Sequence, residues 1–195
     1  MIITSFITIL IAYLVGSIPS AVLVSRFMDL PDPRTKGSGN PGATNMLRLG
    51  GKKPALFTFL SDMLKGLLVV GAVQFTTLPP FAVAGATIAV FLGHLFTIFA
   101  HFKGGKGVAT YLGILLAFSP FSGMCWLIVW GVVAALFRYA SLASLVASLL
   151  TPLYLWFFTN SSFKLILLMF LVLLLIWRHL KNIRALLAGE ESKFS

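Results

Sequence analysis

Residues 81–101 read FAVAGATIAVFLGHLFTIFAH, a run whose only ionisable side chains are His94 and His101. An α-helix needs about 20 consecutive apolar residues to cross a bilayer core. This run is long enough, so it reads as a membrane-spanning helix, and the rest of the chain agrees. The 195 residues are 58% hydrophobic and only 10% charged, with a mean hydropathy of +0.98. A soluble domain of this length needs far more polar surface. The excess apolar content faces lipid, which makes this an all-α integral membrane protein.

Working outward from 81–101, other apolar stretches fall at about 2–25, 55–75, 108–119, 123–137, 141–158 and 164–177. That predicts seven transmembrane helices, the fourth and fifth short for a bilayer, with Ser119-Pro120 marking the turn between them. The N-terminal stretch has no basic region before it and runs on into polar residues, so it reads as a retained helix rather than a cleaved signal. There is no internal repeat and no low-complexity linker. Residues 1–195 are expected to form a single membrane domain.

The charges orient it. Arg26, Arg34, Lys36, Arg48, Lys52, Lys53, Lys103, Lys106, Arg138, Arg178, Lys181, Arg184 and Lys193 fall on one side of a seven-span arrangement, and only Lys164 falls on the other. Basic loops stay in the cytoplasm. The N-terminus is therefore expected outside and the C-terminus inside. In a soluble protein a net charge of +10 would suggest nucleic acid. Here the basic residues orient helices and meet anionic headgroups or anionic substrates, so no nucleic-acid partner is expected.

The polar residues crowd the same face. GSGNPGATN (37–45) and FKGGKG (102–107) are cytoplasmic loops. Asp62 and Lys65 lie near the cytoplasmic start of the second span, and His94 and His101 are expected on one face of the third. Glycine-rich loops beside helix N-termini bind anions through exposed backbone N–H groups. The first loop adds Ser38, Thr44 and Asn45 as donors and is followed by Arg48, which can hold a phosphate through two bonds. The second carries Lys106. Neither is a P-loop, because Lys106 is followed by Gly107. These glycines could simply make turns between spans. Two dense loops with Arg48 and Lys106 on one face favour two phosphates, or one substrate with two anionic groups.

Asp62 and Lys65 sit three residues apart on one helix face. They read either as a self-neutralising brace or as functional charges in a span. His94 reads equally as a core residue or a base. Arg178 and Asn182 stand where interface residues snorkel. No metal is expected, since acidic residues are few and no His/Cys cluster appears. The lone Cys125 lies in an apolar run, where a thiol resists ionisation, so a catalytic thiol is not expected.

GSGNPGATN with MLR after it, SDMLKG (61–66), GHLFTIFAHFKGGKGVAT (93–110), SLAS (141–144), RHLKNI (178–183) and GEE (189–191) together resemble the bacterial acyl-phosphate:glycerol-3-phosphate acyltransferases, the PlsY family. The resemblance runs from residue 16 to residue 191. It implies a seven-helix enzyme of the bacterial inner membrane with its active site on the cytoplasmic side. Such an enzyme moves a fatty acyl group from acyl phosphate to the 1-hydroxyl of glycerol 3-phosphate, giving lysophosphatidic acid and inorganic phosphate. It uses neither acyl-CoA nor acyl-carrier protein as direct donor, and no metal or cofactor.

Carried over by motif, Ser38, Arg48, Lys106 and His179 would surround glycerol 3-phosphate. Ser144 and Asn182 would hold the reacting groups. The loop backbone at Gly37, Gly39 and Gly42 would take the acyl phosphate, with Asn40, Thr44 and Asn45 shaping it. Gly104, Gly105 and Gly107 would form the second anion loop. Pro41 and Leu180 depart from the commoner residues of the motifs, and neither removes a proposed catalytic group.

The His-x₄-Asp motif of other acyltransferases is absent: five residues beyond His94, His101 and His179 stand Phe99, Lys106 and Arg184. An anhydride donor is already activated, so the expected mechanism lets the acyl phosphate's own phosphate take the hydroxyl proton. The protein positions the substrates and neutralises charge. A monomer is expected. The alternative is a transporter of a phosphorylated metabolite, but transporter sites lie near the midplane between repeats. A lipid-binding scaffold would explain the basic face but not the dense Gly/Asn loops.

Overall fold

The computed structural model describes residues 1–193. Helices are the only regular structure among them, and the chain divides into two compact units, Met1–Ala117 and a second that starts at Phe118.

The first unit begins with α1 (Ile2–Gly16) and α2 (Ser20–Phe27), bent by 42° at the residues between them. Pro19 causes the break, since it has no N–H to donate and disfavours helix at the residue before it. Carbonyls freed in a membrane segment must find other donors. Ile18 O accepts from the Lys65 ammonium, and Ser17 O from the Thr97 hydroxyl. The short α3 (Ala43–Gly50) leads into α4 (Lys52–Gln74) and α5 (Pro80–Leu95), and α6 (Val108–Phe118) closes the unit.

Helices in lipid pack through small residues that let backbones meet. A Cβ on Gly16 would stand 2.1 Å from Val90 O, and one on Gly93 would stand 2.3 Å from Tyr13 O, so α1 and α5 touch backbone to backbone. Gly66 and Gly113 do the same for α4 and α6. Thr110 then donates to Asp62 O across that seam at 3.0 Å.

The second unit contains α7 (Pro120–Phe137), α8 (Ala140–Leu149), α9 (Thr151–Phe158), α10 (Ser162–Arg178) and α11 (Leu180–Ala188). α8 and α9 are bent by 41°, α10 and α11 by 56°. On α10, Leu168, Leu171, Val172 and Leu175 are buried while Ile166, Phe170, Leu173 and Trp177 are exposed. Apolar residues on both faces of a helix mean that one face is turned to lipid.

By length and composition, three helices can each cross a membrane: α4, α5 with the turn running on to Ala100, and α7. Counting each bent pair as one span raises the number to six. The fourth expected stretch, α6, has 11 residues. At 1.5 Å per residue it covers about 16 Å, roughly half a bilayer core. The fifth is not short. Ser119 accepts a hydrogen bond from Ser122 N and Pro120 starts the helix, giving α7 18 residues. His94 and His101 do not share a helix face either. α5 stops at Leu95, where Phe96 leaves helical geometry, and His101 adopts a left-handed backbone with φ 53°.

Candidate active site

The loop 37–45 is built around one side chain. Asn45 is buried, and its Oδ1 accepts from Ser38 N at 2.9 Å while its Nδ2 donates to Pro33 O at 2.9 Å and Lys36 O at 3.0 Å. All the hydrogen-bonding capacity that matters is spent on backbone, so Asn45 shapes the loop from inside. Gly37 and Gly39 take φ values of +62° and +71°, which glycine adopts without strain. A Cβ on Gly37 would lie 2.2 Å from Asn45 Oδ1. Asn40 N bonds weakly back to Ser38 Oγ at 3.5 Å, and Gly42 caps α3. Thr44 stands in the first turn of that helix, where N–H groups have no helical partner. Ser38 and Arg48 are exposed, the latter on the last turn of α3.

The entrance to the loop is pinned by an ion pair. Arg34 donates from Nε and from its terminal nitrogen to Asp32, the shortest distance being 2.6 Å, and Arg34 N donates to the same carboxylate at 2.9 Å. The hydrogen bonds from Arg34 hold the Asp32 carboxyl below its ordinary value.

The second loop is different. Gly104 N donates to Leu95 O and Gly105 N to His94 O, both at 3.2 Å. This strap therefore folds back onto the end of α5 and satisfies carbonyls that the helix terminus leaves open. A Cβ on Gly104 would lie 2.0 Å from His94 O, and one on Gly105 2.4 Å from the imidazole Nε2. The Gly104 and Gly105 amides thus donate to the end of α5. Gly107, with φ +88°, turns the chain into α6, and half-buried Lys106 stands between it and Gly105.

Beneath the strap lie the charges whose role the sequence left open. Lys65 Nζ donates to Asp62 Oδ1 at 2.7 Å, and His94 Nδ1 stands 3.5 Å from the same oxygen. All three side chains are buried. Lys65 also holds the Ile18 carbonyl, so the cluster ties α4, α5 and the α1–α2 break together. Asp62, Lys65, His94 and Thr97 line a small cleft with Pro41 of the first loop and Lys103 of the strap. Asp62 and Lys65 thus pair with each other, and His94 joins them. That third member is not legible in sequence, because only packing carries α5 to α4.

The remaining predicted residues belong to the second unit. Ser144 is buried on the first turns of α8, donating to Ala140 O at 2.7 Å and accepting from Trp130 Nε1 at 3.0 Å. His179, also buried, occupies the bend between α10 and α11, its Nδ1 2.8 Å from Leu175 O. Asn182 Nδ2 donates to Glu191 Oε1 at 2.8 Å, and Ser141 donates to the same oxygen at 2.6 Å. Glu191 gathers these two, a partner that the sequence offers only as part of the GEE motif. Trp130 carried no sequence signal at all.

A family model described as glycerol-3-phosphate acyltransferase matches residues 6–189. A glycerol-3-phosphate acyltransferase of Nitrosospira multiformis is 53% identical over 95% of this chain and 94% of its own length. One of Methylobacillus flagellatus is also 53% identical, over 95% of each. Among solved structures, PlsY, an integral membrane glycerol 3-phosphate acyltransferase in its glycerol 3-phosphate form, matches with a TM-score of 0.92 at 36% identity, covering 98% of this chain and 96% of that one. Its lysophosphatidic acid form matches at 0.89 and 35%.

Proposed function

Because this chain belongs to the glycerol-3-phosphate acyltransferase family, we propose that it transfers a fatty acyl group to glycerol 3-phosphate, making lysophosphatidic acid. The observation that carries this is the match from residue 6 to residue 189, which reaches into both units and takes in every motif named above but the last two residues of GEE. A transporter reading has nothing comparable behind it.

The finer reading goes further. The donor is acyl phosphate, and the acceptor oxygen is the 1-hydroxyl. That oxygen attacks the acyl carbonyl carbon, and the bond from that carbon to the phosphate oxygen breaks. The leaving phosphate keeps the bond electrons and takes the hydroxyl proton, so no protein base is needed. Ser38, Arg48, Lys106 and His179 hold glycerol 3-phosphate. Ser144 and Asn182 hold the reacting groups, and the backbone of loop 37–45 cradles the acyl phosphate. The exposed position of Ser38 and Arg48 and the braced loop favour this assignment.

The chain acts as one membrane domain and as a monomer in the bacterial inner membrane, with this site in the cytoplasm. Three long helices, three bent pairs and α6 as a short crossing would make seven spans. The one-sided distribution of basic residues supports an outside N-terminus.

The test is phosphate release by the purified protein given palmitoyl phosphate, with and without glycerol 3-phosphate, no metal added. Release that requires glycerol 3-phosphate, with equimolar lysophosphatidic acid, is expected. Turnover with acyl-CoA alone would keep the acyl transfer and overturn the donor.

A further inference from the structure

Two tryptophans of α7 reach two serines of α8 through the same kind of bond. Trp130 Nε1 donates to Ser144 Oγ at 3.0 Å, and Trp126 Nε1 donates to Ser148 Oγ at 3.1 Å. Each pair is spaced four residues apart on its helix, so the two bonds form consecutive rungs. The rungs differ in surroundings. Trp126 and Ser148 are sealed inside the unit, whereas Trp130 is half-buried.

The Ser144 rung has fixed polarity. A serine hydroxyl has one proton and two lone pairs, an indole N–H only donates, and a backbone carbonyl only accepts. The Ser144 proton is therefore committed to Ala140 O, at 2.7 Å, and one lone pair to Trp130. Neither partner can reverse its role. What Ser144 has left is one lone pair, so toward a ligand it can only accept. It cannot donate to a phosphate oxygen. Of the two substrates, ionised acyl phosphate offers no hydroxyl, while glycerol 3-phosphate offers two.

We infer that Trp130 is a positioning residue that, by occupying one lone pair of Ser144, aims the other as a hydrogen-bond acceptor for a hydroxyl of glycerol 3-phosphate. This rests on the assignment of Ser144 to the reacting groups made above. Without the indole the proton still points to Ala140 O, but both lone pairs are then open, and the direction in which Ser144 accepts a substrate hydroxyl is no longer set. Trp126 serves as the internal control, because its bond has the same chemistry and lies one turn further along α8.

The experiment uses the full chain in detergent or lipid, with palmitoyl phosphate as donor. KM for each substrate, kcat and the thermal midpoint are measured for wild type, Trp130→Phe, Trp126→Phe, Ser144→Ala and the Trp130→Phe/Ser144→Ala double variant. Losing one well-placed hydrogen bond is worth roughly five- to tenfold. Trp130→Phe is expected to raise KM for glycerol 3-phosphate by about that factor and to leave KM for palmitoyl phosphate within about twofold. Trp126→Phe is expected to leave both KM values within about twofold, even where its thermal midpoint falls as far. Trp130→Phe is expected to add little once Ser144 is Ala.

Kinetics of Trp130→Phe that match those of Trp126→Phe overturn the inference, as does full additivity with Ser144→Ala. Should Trp130→Phe fail to fold, Ser144→Ala alone must raise KM for glycerol 3-phosphate and not for palmitoyl phosphate, and a rise for palmitoyl phosphate overturns it. Wild-type protein that does not acylate glycerol 3-phosphate at all would instead overturn the functional reading beneath it.

Discussion

The loop at 37–45 and the strap at 102–107 have similar compositions and opposite constructions. Both are dense in glycine, and both lead into a helix. The first is held by a side chain: Asn45 reaches back and binds Ser38, Pro33 and Lys36. The second is held by main chain, its Gly104 and Gly105 amides closing the end of α5. In the first, glycine is needed where φ turns positive. In the second, it is needed because a Cβ would collide with His94. A glycine-rich stretch therefore says that backbone comes close to something. Whether that something is a ligand or a neighbouring helix depends on the fold around it. In the proposed site Lys106 carries the strap's charge, and the loop offers its own backbone and Ser38.

The strongest way to break this contrast is Lys106→Ala. The Gly104 and Gly105 amides donate to α5, and Lys106 carries the charge proposed to hold glycerol 3-phosphate. Removing a preorganised charge at a site of transition-state build-up costs about 10²–10³ in rate. A fall of at least hundredfold in acyl transfer at saturating substrates is expected. Retention of more than about a tenth of the rate would mean that the strap is only a helix cap.

Next in size is Asn45→Asp, which changes one atom of the loop's brace. The Nδ2 that donates to Pro33 O and Lys36 O becomes an oxygen facing two carbonyl oxygens. Each lost bond costs about 1 kcal/mol, and unsatisfied buried acceptors add more. The variant is expected to be less stable than Asn45→Ala, and proteolysis should cut it first within 33–45. Equal stability of the two would show that the side chain is not the brace.

A smaller effect separates the glycines themselves. Gly104→Ala puts a Cβ 2.0 Å from His94 O, whereas Gly39→Ala finds its nearest neighbour, Arg34 O, at 3.5 Å. The first must move backbone, at about 1–3 kcal/mol. The second meets only the cost of a left-handed φ, about 1 kcal/mol. Thermal midpoints in detergent should rank wild type above Gly39→Ala above Gly104→Ala, and the reverse ranking would sink the geometric account of the strap.

These contrasts also mark how far the sequence could be read. Membrane residence and helical content follow from apolar runs, because lipid forces backbone polar groups into helices. Loops rich in Gly and Asn were legible as special, since no span uses them. The span count was less so. Pro19 and the bend after Leu149 break apolar runs that look continuous, and α6 has only 11 residues. Ser119 and Pro120 lengthen α7 beyond its purely apolar stretch. At the site, Asp62 and Lys65 declared themselves by spacing. Their tie to His94, the use of the strap amides and the Trp130–Ser144 bond are long-range. No periodicity encodes which carbonyl a glycine amide will find.

The smallest expected effect lies at the loop entrance, and it tests whether Asn45 is the principal brace. Asp32 and Arg34 pair with side-chain exposures of 34% and 27%, so solvent screens much of the attraction and the pair is worth a few tenths of a kcal/mol. Arg34 holds the Asp32 carboxyl below its ordinary value chiefly through its hydrogen bonds. A carboxyl lowered in the folded state adds stability above its unfolded value, and that contribution disappears as pH falls through the lowered one. Asp32→Asn should therefore lower the thermal midpoint slightly at pH 7, less so in high salt. Toward the acid limit, where both carboxyl states are protonated, its deficit should vanish. A loss of stability as large as that of Asn45→Asp would mean that the loop is held from its entrance, and the division between a side-chain-held loop and a backbone-held strap would have to be redrawn around Arg34.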